Sequence, residues 1–367
     1  MASLLSLPPE ICSIICDYVD VSLAPLCRIS PSFREQAQRT MYRTVDLEDC
    51  NMRLVKSWCL AVTRHSRLAE RVRSLFLQLP VALEPEDAAK LSRALALCVN
   101  LKHLSVFQVP GLPSDVSVQT WMIEDCAFRL ERFSNSYFAL DTGIETFLDN
   151  QAGMRVLSLP SPRDSEYLSF DERLNNLVAI DAPLYMVLDI PEGRPLERIQ
   201  IHYDRSEYVD GLSELCRFAP TLKTLTVVRE GMDWGSSTAA IIHQVAHALP
   251  DLQHLGINEK ERLLTFFALE ETPSHVLKLF TCLETLTLCL RRGICFAGTA
   301  RTYGVTNTAD LGDFGMDMFT GCASLRKVAI GSELFKDKAF YCTLFKREDG
   351  NIESNEDEPD FDDEFWI

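Results

Sequence analysis

No apolar run in this 367-residue chain approaches the roughly eighteen residues that a membrane-crossing helix needs. The opening MASLLSLPPE has neither the basic segment nor the apolar stretch of a secretory signal. Asn-x-Ser/Thr acceptors are absent as well. These absences predict an intracellular chain, cytoplasmic and/or nuclear, with no membrane partner. Cysteine is plentiful at thirteen residues, but paired spacing is lacking, so the thiols are expected to be reduced and to serve as small buried hydrophobes. Basic residues are in deficit, 36 Lys and Arg against 53 Asp and Glu. Phosphate-backbone recognition needs clustered cations, and no basic stripe is legible along the chain, so nucleic acid is not an expected partner.

The signatures of common catalytic sites are missing too. There is no Gly-x-x-x-x-Gly-Lys-Ser/Thr loop, no Gly-x-Gly-x-x-Gly turn and no Gly-x-Ser-x-Gly elbow, which removes the usual phosphate cradles and nucleophile turns. His243 and His247 have the spacing that puts two imidazoles on one helix face, but Gln244 stands where a metalloprotease needs its glutamate base. A structural role is expected for that pair, and no metal. Cys12 and Cys16 are likewise four apart, and packing is expected of them rather than redox chemistry. The chain reads as a non-enzyme without a cofactor.

What is present is 47% hydrophobic residues, enough for a large core in two or three structural units. Acid is concentrated at the end, where Glu348 to Ile367 hold ten Asp and Glu and no Lys or Arg. Mutual repulsion predicts a disordered acidic tail over 348–367.

The start reads as three short helices. Ser6 can cap the first, with Pro8 and Pro9 in its first turn and Glu10 at the positive end of its dipole, and it runs to about Val19. Ile11, Ile14, Ile15, Tyr18 and Val19 fall on one face while Cys12 and Cys16 give a second apolar face, which calls for two packing partners. A second helix is read at Leu23, Leu26 and Cys27. A third begins near Pro31 with Phe33, Ala37 and Met41 on one side. Residues 4–47 hold 22 apolar residues in 44, a size at which a lone core is marginal and a partner is often needed.

From Val72 onward an apolar-x-x-apolar-x-apolar pattern recurs, the strand signature of a leucine-rich repeat. Ten copies are read: VRSLFL from Val72, LKHLSV from Leu101, LERFSN from Leu130, MRVLSL from Met154, LNNLVAI from Leu174, LERIQI from Leu196, LKTLTV from Leu222, LQHLGI from Leu252, LETLTL from Leu283 and LRKVAI from Leu325. Their first residues lie 29, 29, 24, 20, 22, 26, 30, 31 and 42 positions apart, mostly within the roughly 20–29 residues of this repeat. Helical periodicity fills intervals such as Pro85–Leu97 and Thr238–Leu249. Period-two Thr and Val in LKTLTVV and LETLTL favour strands over an all-helical repeat. The Asn or Cys that usually follows the strand motif is missing from most copies, so the solenoid is expected to be irregular. Two longer intervals, Pro160 to Asp171 and Arg291 to Gly321, are read as loop insertions.

The expected fold class is therefore α/β: a three-helix unit over 1–47, an irregular horseshoe solenoid over 48–347, and the tail. Side chains alternate along a strand, so with the leucines inward the concave face is expected to present His103, Ser105, Arg132, Ser134, Arg198, Gln200, His202, Thr224, Thr226, His254, Thr285, Thr287 and Lys327 to a bound protein.

Three segments carry a family resemblance: Leu7-Pro8-Pro9-Glu10-Ile11, then Leu23-Ala24-Pro25-Leu26-Cys27-Arg28-Ile29-Ser30, then Phe33-Arg34 with Met41-Tyr42-Arg43-Thr44-Val45-Asp46-Leu47. Together they resemble the F-box of fungal-type F-box proteins, over about an eighth of the chain. Many F-boxes have a tryptophan late in the third helix, where this chain has Tyr42. The resemblance implies docking of a Skp-type adaptor, and through it a cullin, by Leu7, Pro8, Ile11, Ile14, Leu26, Cys27 and Phe33. It implies a ubiquitin-ligase substrate receptor whose repeats hold an unidentified protein substrate. The alternative is an F-box and leucine-rich-repeat scaffold with no part in ubiquitination.

Overall fold

The structure, a computed structural model, describes residues 7–19, 23–48, 51–80, 83–109, 119–160, 168, 170, 173–203, 209–229, 238–259, 268–269, 273–290, 295–296, 308–334 and 338–355. The chain is mixed α/β and divides into two compact units, Met1–Leu168 with Glu172–Asn176, and Ser169–Asp171 with Leu177–Ile367. The expected boundary at 47 does not coincide with this division.

The first unit begins with α1 (Pro9–Asp17), a 3-10 turn at Leu26–Arg28, and α2 (Pro31–Arg43). Ser6 lies outside the described residues; the N-cap of α1 is Pro8, which makes no side-chain cap bond. The start of α2 is better secured, because the Ser30 hydroxyl accepts from the Phe33 amide at 3.2 Å and Pro31 occupies the first turn. Cys12, Cys16, Phe33 and Ala37 form a core to which Leu7, Ile15, Leu23, Leu26, Cys27 and Ile29 add partial cover.

A strand follows α2 without a break. β1 (Thr44–Leu47) pairs in parallel with β2 (Ser74–Leu79), Thr44 against Ser74. The last four residues assigned to the helical unit are thus bonded into the sheet. Tyr42-x-x-Val45-x-Leu47 is itself a copy of the repeat motif, thirty residues before Val72. Helices α3 (Met52–Arg64), α4 (Ser66–Ala69), α5 (Pro85–Leu97), α6 (Trp121–Glu124) and α7 (Thr142–Asp149) fall among β3 (His103–Gln108), β4 (Arg132–Asn135) and β5 (Val156–Ser158). These strands continue the parallel order from β1 to β5.

The second unit repeats the plan with β6 (Ala179–Pro183), α8 (Leu184–Leu188), β7 (Arg198–Tyr203), a 3-10 segment at Val209–Phe218, β8 (Thr224–Arg229), α9 (Thr238–Ala248) and β9 (His254–Glu259). After these come β10 (Ala268–Leu269), α10 (Pro273–Leu277), β11 (Thr285–Leu290), β12 (Cys295–Phe296), α11 (Thr308–Gly321), β13 (Lys327–Leu334), β14 (Lys338–Lys346) and β15 (Ile352–Asn355). Strands β6, β7, β8, β9, β11 and β13 are parallel neighbours in that order, and β10 pairs with β12 separately.

Nine of the ten motif copies have a strand starting two residues after their first residue. The fifth does not. Its strand begins at Ala179, so the motif is Leu177-x-x-Ile180-x-Ala182 and not the frame from Leu174. Leu174 lies before the strand at φ 54, a left-handed conformation that no strand residue adopts.

The fourth and sixth motif positions make the core. In the first unit Val45, Leu47, Leu75, Leu77, Leu104, Val106, Phe133 and Leu157 are buried; in the second Ile180, Ile199, Ile201, Leu225, Val227, Leu255, Ile257, Leu286, Leu288, Val328 and Ile330 are. Each large aliphatic side chain so buried contributes about 2 kcal/mol. Phe147 of α7 packs edge-on to Phe133 and Phe128, with centroids 5.3 and 6.1 Å apart. Asn135, the one motif copy ending in Asn, folds its carbonyl oxygen onto the Tyr137 and Phe138 amides at 3.0 and 2.8 Å and donates to the Phe138 carbonyl at 3.0 Å.

Two expectations are corrected at the end of the chain. The 291–321 interval is not only loop, because Thr308–Gly321 is a helix that buries Leu311, Phe314, Met318 and Phe319. The tail is not disordered from Glu348: Ile352–Asn355 pairs antiparallel with β14. Its turn is closed by Arg347 N donating to the Asn351 carbonyl at 2.8 Å, with Gly350 at φ 84 and the Asp349 carboxylate accepting from the Asn351 amide at 2.9 Å. Asp349-Gly350 is a hairpin signal that the run of acids obscured. Residues 356–367 lie outside the described ones.

Among the described residues, Arg229 and Glu259 form a buried ion pair. Arg229 Nη1 stands 2.8 Å from Glu259 Oε1, across the C-terminal ends of β8 and β9, and Thr238 Oγ1 donates to the same oxygen at 3.1 Å. Removing one partner of a buried, hydrogen-bonded pair is strongly destabilising, so Glu259→Ala should cost about 3 kcal/mol. Glu197→Ala, which breaks the exposed pair with Lys223 at 3.0 Å, should cost no more than about 0.5 kcal/mol. Urea-unfolding midpoints of the two variants measure the contrast.

Candidate functional site

Two surfaces bear the residues that the sequence singled out. The first is on the N-terminal helices. In α1 the four-residue spacing turns Cys12 and Cys16 together into the core, and the opposite face is left to Ile11, Ile14 and Tyr18, which are 42%, 51% and 83% exposed. Pro8 is exposed beside them. Leu7, Leu26 and Cys27 are half-buried and pack against the core. Phe33 corrects its assignment to the contact surface: it is 1% exposed, because α2 turns it inward beside Ala37. Met41, expected on the same side as Phe33 and Ala37, is 39% exposed near the C-terminal end of α2. Burial raises the Tyr42 phenol above its ordinary value, and the Cys27 thiol adds to the rise.

The second surface is the strand face opposite the leucines. Register places equivalent residues side by side. In the first unit His103 neighbours Arg132 and Ser105 neighbours Ser134. In the second, Arg198, Thr224, His254, Thr285 and Lys327 form one row, and Gln200, Thr226, Gly256, Thr287 and Ala329 the next. Most of these are half-buried, while Ser105 is buried. A Cβ at Gly256 would stand 3.0 Å from Thr226 Oγ1, so the face dips between Thr226 and Thr287.

His202 behaves differently from its row. It is buried, with Nε2 2.6 Å from Asp181 Oδ1, and Gln200 Nε2 donates to the same oxygen at 3.1 Å. Asp181 escaped the sequence reading because it becomes a strand-face residue only in the Leu177 frame. The β6 carboxylate fixes the imidazole and the amide of β7, its parallel neighbour. Both members of the His202–Asp181 pair are shielded from solvent, which suits a rigid polar support better than proton transfer to a substrate.

His103 has its Nδ1 3.1 Å from Ser74 Oγ. Desolvation first, and the Arg132 cation second, lower its pKa. Among the thiols, burial pushes Cys59, Cys98 and Cys126 up to about 12, whereas Cys216 and Cys282 are exposed.

The described residues contain no group of three or more His, Cys, Asp or Glu placed to hold a metal ion. No helix among them is long and apolar enough to cross a membrane. No model of a known protein family matches the chain, and no curated protein does.

Two outcomes follow. Because the folded pKa of His103 lies below its ordinary 6.5, the unfolded chain binds more protons just below that pH, so stability falls as pH drops through that region and is flat above it. His103→Gln should reduce this acid sensitivity in melts taken between pH 5 and pH 8. At pH 8 a thiol with a pKa of about 12 is ionised to only about one part in ten thousand. Cys216 and Cys282 should therefore take up iodoacetamide in the native protein before Cys59, Cys98 and Cys126 do, as read by peptide mass spectrometry.

Proposed function

We propose that this protein is a non-enzymatic substrate receptor of a Skp/cullin/F-box ubiquitin ligase. On this reading residues 7–47 act as an F-box that docks a Skp-type adaptor, and the repeats act as an irregular leucine-rich solenoid that holds a protein substrate. The observation that carries it is the division of α1 into two apolar faces, of which the cysteine face is covered by the chain itself and the isoleucine face is not. Burying Ile11 and Ile14 against a partner helix is worth about 3 kcal/mol together, or roughly a hundredfold in affinity. Leu7, Leu26 and Cys27 border the same helices and supply the rim of the contact, and Pro8 sets the entry of the chain into α1.

The strand face supports the second half of the proposal. Its rows of Arg, His, Gln and Thr offer hydrogen-bond donors and acceptors at regular strand spacing, which is a surface suited to a polypeptide. Tethering substrate and adaptor on one chain raises the effective concentration of the substrate at the ligase, while catalysis resides in the partners.

The test is capture of a recombinant Skp-type adaptor by the full chain and by an Ile11→Asp, Ile14→Asp variant. Both residues are exposed, so the variant should melt as the parent does while its adaptor affinity falls by roughly a hundredfold. Undiminished capture would sink the docking assignment. Cullin that co-purifies with the parent, and is lost with the adaptor, distinguishes a ligase receptor from a scaffold.

A further inference from the structure

α9 buries Ile241, Ile242, Val245 and Ala246, and a helical turn of 100° per residue directs His243 and His247 the other way. Both are exposed. The two rings meet each other and not the core. Their centroids are 4.4 Å apart at an interplanar angle of 68°, and the two Nε2 atoms are 3.2 Å apart.

We propose that His243 and His247 form an exposed two-imidazole clip for a divalent transition-metal ion of the zinc class. The distance between the nitrogens is the deciding quantity. An ion 2.0–2.1 Å from each of two atoms 3.2 Å apart subtends about 100° at the metal, close to a tetrahedral angle.

The proton count also works. Without an ion, one Nε2–H donates to the lone pair of the other Nε2 across the 3.2 Å contact. Metal binding takes both Nε2 lone pairs, and the displaced proton moves to Nδ1 of its own ring, so both imidazoles stay neutral. Imidazole nitrogen prefers Cu, Ni and Zn over Mg and Ca. The described residues offer no third ligand in a cluster, so two positions of a tetrahedral ion face solvent, open to water or to a donor from a partner. The helix is anchored through its buried face, which holds the second imidazole at high effective concentration once the first has bound. The clip carries no general base, since Gln244 follows His243, and the proposal is one of binding alone. It is independent of the ligase reading.

Zinc chloride titrated calorimetrically into the full chain tests it. The exposed thiols Cys216 and Cys282 bind zinc on their own account, so the parent for the experiment carries Cys216→Ser and Cys282→Ser. One zinc per chain is expected, with affinity reduced about tenfold or more in either His243→Gln or His247→Gln, no further large loss in the double variant, and no heat from magnesium chloride. Zinc should also raise the melting temperature of the parent but not of the double variant, whose metal-free melt should match the parent's. Equal zinc affinity in the parent and both single variants, or no one-to-one site in the parent, overturns the proposal.

Discussion

Lateral register between parallel strands is the constraint from which the remaining structure follows. Each motif copy contributes one strand, and within each unit each of these strands is hydrogen-bonded to the next at the same motif position, so that the fourth and sixth residues of its copies are stacked on one side. A parallel pair needs a crossover of a dozen or so residues, and that requirement sets the interval between motifs and fills it with helix. A one-residue slip would send the leucines of a copy to solvent and its polar residues into the core. Repetition of the motif therefore protects the register at every step. The same stacking makes rows of the outward residues, so any binding property of the strand face belongs to a row and not to one side chain.

Much of this was legible because apolar periodicity reports burial directly. The helix at Pro85–Leu97 is found at the bounds expected for it, and nine strand starts obey one offset from their motifs. The failures are local and have causes. Leu174 and Leu177 are both apolar and three apart, so two frames fit the pattern, and only the left-handed backbone at Leu174 tells them apart. That misframing hid Asp181, and with it the reason that His202 is buried. Tyr42-x-x-Val45-x-Leu47 matched the repeat, but its residues had been absorbed into the helical unit. Phe33 was assigned to a contact surface by the family resemblance, whereas the helical spacing that sets it beside Ala37 serves a core equally well.

The N-terminal helices illustrate a division of labour between small and large apolar residues. Cysteines on α1 let that helix approach α2 closely around Phe33 and Ala37, so a compact core forms from few residues. The bulkier Ile11, Ile14 and Tyr18 are left outside it.

The final hairpin has a consequence for how the chain behaves in a crowd. A stack of parallel strands ends in unpaired amides and carbonyls, which template addition of another strand. Here the order after β13 reverses, and among the described residues the outermost strand is the short Ile352–Asn355, whose Glu353 is paired with Arg347 at 2.5 Å and whose last three residues are exposed and polar. A second molecule approaching that border would meet carboxylate and a strand of opposite direction, so polymerisation along the sheet is discouraged at that end.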